Sequence, residues 1–397
     1  MFSWVEIKKF AIRNNLKEFR RIIGPRVKLM AVVKSNAYGH GMVEVAKIAI
    51  RSGANWLGVA NLDEALQLRQ VGIKAPIFIL SYWDMPLRIT NLVQIYELRI
   101  KKAIKENINF PIYTVNQGQI LSQIARKIKK PVNIHLKIDT GTSRIGILPN
   151  QTVDFLKEIS KMPYLNLAGV FTHYASSESY DQTYTNWQTE KFKKVLEIVR
   201  RLGFKNFLAH AGCTASTIVN SATHFDLVRI GIGLYGLWPS VETKKLAEDQ
   251  GRKIILKPAL TWKTKIIQIK ELPPATFVGY DRTFKTARKT KIAVLPIGYW
   301  DGYDRRLSNP TPLKLRGTGQ GEVLIKGKRC PIRGRVCMNL TMVEITNISN
   351  VKVGDEVVLI GKQGQEEITI DEIAEKIGTI NYEVATRVNA LILRKYV

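Results

Sequence analysis

The sequence is poor in cysteine. Only Cys213, Cys330 and Cys337 occur in 397 residues. They are too few and too scattered for a disulfide framework or a zinc site, so we predict reduced thiols, no metal centre and a cytoplasmic protein. No uninterrupted apolar run reaches the length that spans a membrane. Residues 4–7 alternate like a strand and lack an apolar signal core, so no secretory leader is expected.

Acidic residues are also scarce. Asp plus Glu number 33 against 61 for Lys plus Arg, which gives a formal net charge of +28. Such an excess attracts polyanions. However, the basic residues are spread along the chain, without a long basic block or an aromatic–basic motif. We therefore favour a charged surface that maintains solubility, or a lysine-rich codon bias, and we expect neither a specific nucleic-acid partner nor a membrane partner.

The first two thirds of the chain alternate between short Val- and Ile-rich runs and amphipathic stretches, a pattern that predicts strands separated by helices. Eight such strands fit a (β/α)8 TIM-type barrel, which we predict for residues 11–255 as the ligand-binding domain of an α/β protein. A doubly wound sheet is the alternative arrangement. The predicted strands are residues 27–33, 56–60, 76–80, 110–115, 132–138, 167–172, 207–210 and 227–230.

The pattern changes near residue 256, where short alternating strands are divided by Pro, Gly and Asn turns. We predict a β-rich domain over residues 256–397, interrupted by one helix at 370–377 and completed by a strand within residues 1–10. Its predicted strands are residues 260–267, 291–295, 322–325, 342–345 and 357–360.

Lys34 follows the first predicted barrel strand and precedes a run of small, turn-forming residues. A charged amine is costly beside a core, so a lysine at this place needs a reason. One common chemical use is an amine that forms a Schiff base with a carbonyl compound or with pyridoxal phosphate. A surface lysine at a strand end is the plain alternative for this segment taken alone.

Further polar residues end the later predicted strands. Because the carboxyl ends of barrel strands face one mouth, where TIM barrels hold their active sites, these side chains are expected to converge. Glycines after the last strand and the hydroxyl of Thr214 offer a seat for a phosphate, which TIM barrels commonly bind after strands seven and eight. An amine and a phosphate seat together suggest pyridoxal phosphate, with Arg229 near its ring. The strand-end residues are Lys34, Lys137, Asp139, His173, His210 and Arg229.

Residues 32–41 (VVKSNAYGHG) resemble the cofactor-lysine signature of alanine racemases. The resemblance extends over nearly the full chain and implies a barrel followed by a β-rich domain. It is carried by residues 4–7 (WVEI), 135–141 (HLKIDTG), 228–232 (VRIGI), 279–284 (GYDRTF), 298–303 (GYWDGY), 334–338 (GRVCM) and 382–383 (YE).

The resemblance implies an enzyme, an isomerase that interconverts L-alanine and D-alanine with pyridoxal 5'-phosphate and supplies D-alanine for peptidoglycan. Lys34 would carry the cofactor as a Schiff base and act as one catalytic base. Tyr280, backed by His173, would be the other. The cofactor-binding residues implied by the resemblance are Lys34, Tyr38, His173, Thr214, Arg229, Gly231, Ile232 and Tyr382.

The resemblance also assigns the substrate contacts. Arg144 and the backbone of Met338 would hold the substrate carboxylate, and Lys137 matches a lysine that is often carbamylated. In the family, Tyr280 and Met338 act on the active site of the other subunit. This implies a head-to-tail homodimer with composite active sites.

Racemisation removes a proton from one face of the α-carbon and returns a proton to the other, so two bases must flank the cofactor. A phenol has an ordinary pKa of about 10 and is a weak base at neutral pH. A positive neighbourhood lowers that pKa, and His173 and Arg229 are candidates for supplying it. Arg229 is a donor only, so it would leave the pyridine nitrogen unprotonated and suppress side reactions.

The sequence departs from the family at three places. Asn339 stands where Asp is usual, which bears on substrate selectivity. Cys213-Thr214 replaces Asn-Ser but keeps a hydroxyl, and Thr142-Ser143 replaces Met-Gly beside the Lys137 loop. A broader amino-acid racemase, for example one that acts on serine, is therefore an alternative.

Two other classes are less favoured. A decarboxylase of the same fold would need an acid where Arg229 stands. A non-enzymatic cofactor carrier would lack the β-rich domain that carries Tyr280 and Tyr382.

Overall fold

The computed structural model describes residues 2–83, 90–309 and 319–397. The chain divides into two units. The barrel unit comprises Phe10–Ala37 and Met42–Lys257, and the sheet unit comprises Met1–Lys9, Tyr38–Gly41 and Pro258–Val397. None of the helices within the described ranges has the length and apolar character needed to cross a membrane.

After β1 (Ser3–Ile7), which belongs to the sheet unit, eight parallel strands form the sheet of the barrel unit in the order β8-β7-β6-β5-β4-β3-β2-β9. The end strands also meet, because the Asp226 N–H donates to the Ala209 C=O (3.0 Å) and the Arg229 N–H donates to the Gly212 C=O (2.9 Å). The predicted TIM-type barrel is thus confirmed. Its strands are β2 (Lys28–Val32), β3 (Trp56–Val59), β4 (Ile77–Ile79), β5 (Ile108–Ile112), β6 (Val132–Lys137), β7 (Leu165–Phe171), β8 (Leu208–His210) and β9 (Leu227–Ile230).

Four strands contribute to one apolar cluster of the barrel unit. Met30, Phe78, Phe171 and Leu227 come from β2, β4, β7 and β9 and are at most 2% exposed. Each side chain of this size contributes about 1.5–3 kcal/mol when it leaves water. The cluster holds distant parts of the chain together and fixes the strand ends that carry the polar residues.

The strands alternate with helices whose apolar faces pack inward. In the first helix, Ile12, Leu16 and Phe19 are buried at helical spacing. The helical segments of this part of the chain are α1 (Lys9–Ile23), α2 (Lys34–Tyr38), α3 (Met42–Arg51), α4 (Leu62–Gln70), α5 (Thr90–Lys105), α6 (Val115–Lys127), α7 (Thr152–Ser160), α8 (Thr183–Arg201), α9 (Thr214–Val219) and α10 (Val241–Asp249).

The sheet unit contains the β-rich structure expected after residue 256. Its described strands are β10 (Leu260–Lys265), β11 (Gln268–Leu272), β12 (Phe277–Val278), β13 (Phe284–Lys285), β14 (Thr290–Leu295), β15 (Glu322–Ile325), β16 (Lys328–Pro331), β17 (Thr341–Glu344), β18 (Glu356–Gln363), β19 (Glu366–Ile368) and β20 (Leu393–Tyr396). The largest sheet has the order β16-β15-β18-β10-β1-β20, with β19 on β18, and smaller sheets join β11-β14-β17 and β12-β13.

The first strand of the chain lies inside the largest sheet. Val5 of β1 pairs with Trp262 of the antiparallel β10 and with Arg394 of the parallel β20. Two helices, α11 (Ile370–Ile377) and α12 (Asn381–Arg387), also belong to this unit. The prediction of a single helix here is wrong, because Gly378, in the left-handed conformation (φ 68°), ends α11 and a second helix follows.

Candidate active site

Lys34 opens a turn with an unusual backbone. Residues 35–37 have φ angles of 53–54°, in the left-handed region that L-residues adopt only when contacts hold them. The Ala37 N–H donates to the Val33 C=O (2.9 Å), and the Ser35 N–H donates to the Glu64 carboxylate (2.6 Å). This turn fixes the position of Lys34 directly after β2, at the carboxyl end of the barrel.

The amine of Lys34 is partly shielded from water. Burial lowers the pKa of Lys34 below its ordinary value of 10.5, the positive charge of Arg144 lowers it further, and Glu64 opposes both effects. A lower pKa increases the neutral fraction of the amine at pH 7. The neutral amine is the form that attacks a carbonyl group.

Arg229, on β9, lies inside the barrel mouth and is 5% exposed. Its terminal nitrogens donate to His210 Nδ1 (2.9 Å) and to the carbonyls of Thr172 and Ala211 (both 2.8 Å), and one lies 3.3 Å from His173 Nδ1. Burial lowers the pKa of Arg229 from 12.5 to about 10. The guanidinium therefore stays charged at neutral pH and is held rigidly, while Nε takes no part in these bonds.

The surroundings of His173 disfavour a positive charge on its imidazole. Burial lowers the pKa of His173 well below 6.5, and the neighbouring positive charges, that of Arg229 foremost, lower it further. The imidazole is therefore neutral near pH 7. Of the two candidates for the positive charge, Arg229 and not His173 is therefore favoured as the cation at this position.

Two buried histidines continue from Arg229 into the barrel. His210 Nε2 lies 2.9 Å from His135 Nδ1. Because an arginine can only donate, His210 Nδ1 must accept, so its Nε2 carries the proton and donates to His135. Burial lowers the pKa of His135 to about 3, and its ring stacks on Phe78 with centroids 4.3 Å apart. The histidine relay, defined as His135, His210 and Arg229, thus has a fixed direction of donation.

Lys137, at the end of β6, is 3% exposed. Its Nζ lies 4.3 Å from the centroid of the Phe171 ring. Burial lowers the pKa of Lys137 well below 10.5, and Arg229 and Arg144 lower it further, against the opposing charge of Asp139. This amine is therefore neutral under conditions where an exposed lysine is charged.

Asp139 organises the loop that carries Arg144. Its Oδ1 accepts from the N–H groups of Gly141 (2.9 Å), Thr142 (2.8 Å) and Ser143 (3.1 Å), and its Oδ2 accepts from the N–H of Arg144 (3.0 Å). One carboxylate thus satisfies four consecutive backbone donors. The loop is fixed while the Arg144 side chain remains exposed.

Thr214, Gly231 and Ile232 lie together after β8 and β9. The Gly231 N–H donates to Thr214 Oγ1 (3.1 Å), and Ile232 begins a single turn of 3-10 helix, where backbone N–H groups have no partner within the helix. A Cβ on Gly233 would lie 2.5 Å from the Phe19 ring and 2.6 Å from the Thr214 methyl group. Glycine is therefore required for this close approach.

In the sheet unit, Tyr38 and Tyr382 lie near each other, with ring centroids 6.2 Å apart. The turn after Tyr38 lies against α12, because a Cβ on Gly39 would approach the Ala385 oxygen to 2.2 Å. Tyr396 Oη also donates to the His40 C=O (3.1 Å). These contacts bring together two of the predicted cofactor-binding residues.

Tyr280 and Met338 are on the surface of the sheet unit, 69% and 54% exposed. Tyr280 lines a cleft of about 450 Å³ together with Phe277, Cys337 and Leu340. The Trp300 N–H donates to the Met338 C=O (3.0 Å), so the backbone at Met338 is fixed although its side chain is free to contact another surface.

Two family models together match most of the chain. The family model described as "Alanine racemase, N-terminal domain" matches residues 7–239, and that described as "Alanine racemase, C-terminal domain" matches residues 259–396. The chain belongs to the alanine racemase family. The resemblance seen in the sequence, and with it the prediction of an isomerase of the alanine racemase family, is confirmed.

Relatives cover the whole chain. The alanine racemase of Methanococcus maripaludis is 41% identical over 99% of this chain and 98% of its own length. That of Halothermothrix orenii is 40% identical over 99% and 96%. Two solved structures are also similar. The alanine racemase of Clostridium difficile is 33% identical, with a TM-score of 0.88, over 100% of this chain and 96% of its own. That of Bacillus anthracis with bound L-Ala-P is 35% identical, with a TM-score of 0.87, over 100% of this chain and 95% of its own.

The structure adds roles that the sequence did not assign. The roles of Asp139 as loop anchor and of His135 as partner of His210 follow from contacts across the barrel. Asp139 precedes Thr140-Gly141, and an Asp before Gly is a turn signal that was available in the sequence. No sequence signal predicted the contact between His135 and His210, because the two residues lie 75 positions apart in the chain and meet only in the folded barrel.

Proposed function

We propose that this protein interconverts L-alanine and D-alanine by a two-base mechanism that uses pyridoxal 5'-phosphate. The observation that carries the proposal is the buried guanidinium of Arg229, held by His210 and two carbonyl groups at the end of the barrel that also carries Lys34. A decarboxylase would need an acid at this place. The relative from Bacillus anthracis was solved with bound L-Ala-P, which supports an alanine-sized substrate.

The donor set of the barrel unit fits this cofactor. Thr214 Oγ1, the glycine-lined turn at Gly231 and the first-turn N–H of Ile232 suit a phosphate dianion. Arg229 has donors left for a ring nitrogen. Tyr38 and Tyr382 would add two hydroxyls to the phosphate. When bound, pyridoxal phosphate supplies an aldehyde for amines and a conjugated ring that stabilises negative charge at the α-carbon.

Lys34 and Tyr280 would be the two bases. The Lys34 amine, with its lowered pKa, takes or returns the α-proton on one face, and the Tyr280 oxygen does so on the other. His173 is neutral and lies beside Arg229, so its proposed part is to hold that cation and the cofactor. Arg229 stays protonated and would donate to the ring nitrogen, which would limit charge build-up on the ring and disfavour side reactions.

The exposure of Tyr280 and Met338 supports a composite site. Both project from the sheet unit beside an apolar cleft, and in a head-to-tail homodimer a second copy would cover this surface. Tyr280 and Met338 of one subunit would then serve the barrel of the other. The backbone N–H of Met338 and the guanidinium of Arg144 would hold the substrate carboxylate.

Lys137 is proposed to be carbamylated. Its neutral amine can attack carbon dioxide, which forms an N–C bond and releases one proton. The resulting anion would lie near the guanidinium groups of Arg229 and Arg144, whose positive charges lower the pKa of Lys137. It would thereby orient Arg144 and remove the cost of burying an amine among cations.

The alternative of broader specificity rests on Asn339, which is exposed next to Met338. An amide in place of a carboxylate removes one negative charge from this surface, so polar substrates such as serine would be tolerated better. Chiral chromatography of a panel of L-amino acids incubated with the protein distinguishes the two. Turnover of serine at a rate close to that of alanine would favour the broader racemase.

The central test measures racemisation and α-proton exchange in deuterium oxide with each alanine enantiomer. Because the two enantiomers have equal energy, kcat/KM must fall equally in both directions in any variant. Tyr280→Phe should abolish racemisation yet keep exchange for the enantiomer whose proton faces Lys34. Lys34→Ala should lose the cofactor absorbance and all activity. A wild-type protein that leaves the optical rotation of L-alanine unchanged refutes the proposal.

We further propose that the enzyme acts in the cytoplasm and that its D-alanine enters peptidoglycan. The three cysteines are free thiols, in keeping with a reducing compartment. Expression in a bacterial strain that requires D-alanine should restore growth without the supplement. The Lys34→Ala variant, which should not restore growth, is the control. If the wild-type gene also fails to restore growth, this role is contradicted.

A further inference from the structure

Tyr280 lies in a turn that its own sequence does not favour. Gly279 precedes it with φ 73°, and Asp281 and Arg282 follow with φ 59° and 51°. Two consecutive non-glycine residues in the left-handed region carry backbone strain. Such a turn persists only where contacts from outside it hold it in place.

Those contacts come from two arginines. Asp281 Oδ2 accepts from Arg335 Nε (3.2 Å) and lies 3.8 Å from Arg305 Nη2. Arg335 belongs to the loop that carries Met338, and Arg305 belongs to the loop that begins at Tyr299. The ion triad, defined as Asp281, Arg305 and Arg335, therefore connects three loops of the sheet unit through one carboxylate.

The same three loops meet through their backbones. A Cβ on Gly334 would approach the Val278 oxygen to 2.4 Å, so the two chains touch at a point where only glycine fits. The Tyr299 N–H donates to the Cys337 C=O (3.0 Å), next to Met338. The bases of the loops are thus fixed by backbone contacts, and Asp281 holds the tip that carries Tyr280.

We propose that Asp281 is a positioning residue that fixes the Tyr280 oxygen relative to the Met338 backbone through Arg335 and Arg305. The inference rests on the proposed function, in which Tyr280 supplies a base and Met338 a carboxylate contact. The base must approach the α-carbon of a substrate whose carboxylate is held at Met338. The ion triad sets the geometry between these two groups from within one subunit.

A role in overall stability does not account for Asp281. Its side chain is 58% exposed, and Arg305 is 54% exposed. Exposed ion pairs of this kind add little to folding, while an aspartate at positive φ is less favourable than glycine. Asp281→Gly should therefore leave the melting temperature unchanged or raise it. Loss of activity without loss of stability would separate positioning from folding.

The test compares Asp281→Gly and Asp281→Asn with a matched control. Lys326→Gly removes another side chain at positive φ (51°) from the same unit, together with its ion pair to Asp355 (3.2 Å). Melting temperature, kcat/KM for alanine and α-proton exchange from each enantiomer are measured for all three variants. Tyr280→Phe identifies the enantiomer whose α-proton faces Tyr280.

In Asp281→Gly we expect kcat/KM to fall about tenfold or more, as for a displaced catalytic group, with exchange reduced mainly for that enantiomer. Asp281→Asn keeps an acceptor for Arg335 and should recover part of the loss. Lys326→Gly should retain wild-type kinetics. Three results would each overturn the proposal. The first is a kcat/KM of Asp281→Gly within about twofold of that of Lys326→Gly. The others are an equal loss of α-proton exchange from both enantiomers and a lower melting temperature of Asp281→Gly. Absence of racemisation in the wild type would instead refute the proposed function.

Discussion

Replacing Asp139 should release the loop that carries Arg144. A bond from a backbone N–H to a charged acceptor contributes about 1.5–3 kcal/mol, and four such bonds converge on this carboxylate. The loop is partly exposed, so most released donors regain bonds to water. We therefore expect Asp139→Ala to lower the free energy of unfolding by about 2–3 kcal/mol, similar to the loss of a strong helix cap.

The effect on activity should exceed the effect on stability. A displacement of Arg144 by about 1 Å can cost about 100-fold in rate, and we expect a loss of kcat/KM of that order in Asp139→Ala, mainly through KM for alanine. Asp139→Asn keeps one acceptor oxygen and should lose about tenfold. Urea denaturation at fixed protein concentration and steady-state kinetics measure the two effects.

The pH dependence has a definite sign. Burial raises the pKa of Asp139, but the backbone donors of the loop outweigh it and hold the pKa below 3.8. A folded pKa below the unfolded one means that the carboxylate stabilises the protein above pH 3.8, and that this contribution is lost as the pH falls further through the folded pKa. The difference in stability between wild type and Asp139→Asn should therefore shrink below pH 3.8.

The control is Asp154→Asn, an exposed aspartate in the first turn of α7. It should change stability by no more than about 0.5 kcal/mol and leave the kinetics unchanged. If Asp139→Ala matches this control in stability and in KM, the carboxylate does not hold the loop and the reasoning fails.

Substitutions at three further positions test the barrel mouth. Gly233→Ala places a methyl group 2.5 Å from the Phe19 ring and should weaken binding of pyridoxal phosphate to the apoenzyme about tenfold; an unchanged dissociation constant in an absorbance titration would contradict the fit. His135→Leu removes the acceptor of the relay and should lower kcat/KM about tenfold, with recovery in His135→Gln, whose amide oxygen accepts; equal kinetics in both variants would exclude the relay. Protein equilibrated with ¹³C-bicarbonate should show a carbamate resonance that is absent in Lys137→Met, and its absence from the wild type would refute carbamylation.

The barrel was predictable because its strands are short, apolar and separated by helical spacing. The strand predicted at 227–230 coincides with β9 (Leu227–Ile230). The strand predicted at 110–115 is instead β5 (Ile108–Ile112), because Thr114 is the N-cap of α6 and forms a capping box with Gln117. The helix cap at Thr114 thus ends the strand earlier than its apolar pattern predicts.

The site was predictable only where one residue acts at a strand end. Lys34 and Arg229 follow from that rule, since the carboxyl ends of parallel strands face one mouth. The pKa of His173 was not predictable, because burial and the charges of residues distant in the chain, Arg229 foremost, set it. The role of Asp281 was equally hidden, because nothing local signals that Arg335, 54 residues later, holds its carboxylate.

The arrangement of β1 has a consequence for biosynthesis. This strand precedes the barrel strands in the chain, yet its two neighbours in the sheet are β10 and β20. Val5 therefore pairs on both edges only after Arg394 has been made. The segment of the barrel unit up to Lys257 leaves the ribosome well before that. Domains generally fold as they emerge, so we expect both edges of β1 to stay unpaired while the barrel forms. Closing the sheet is then a late, long-range event in the folding of the chain.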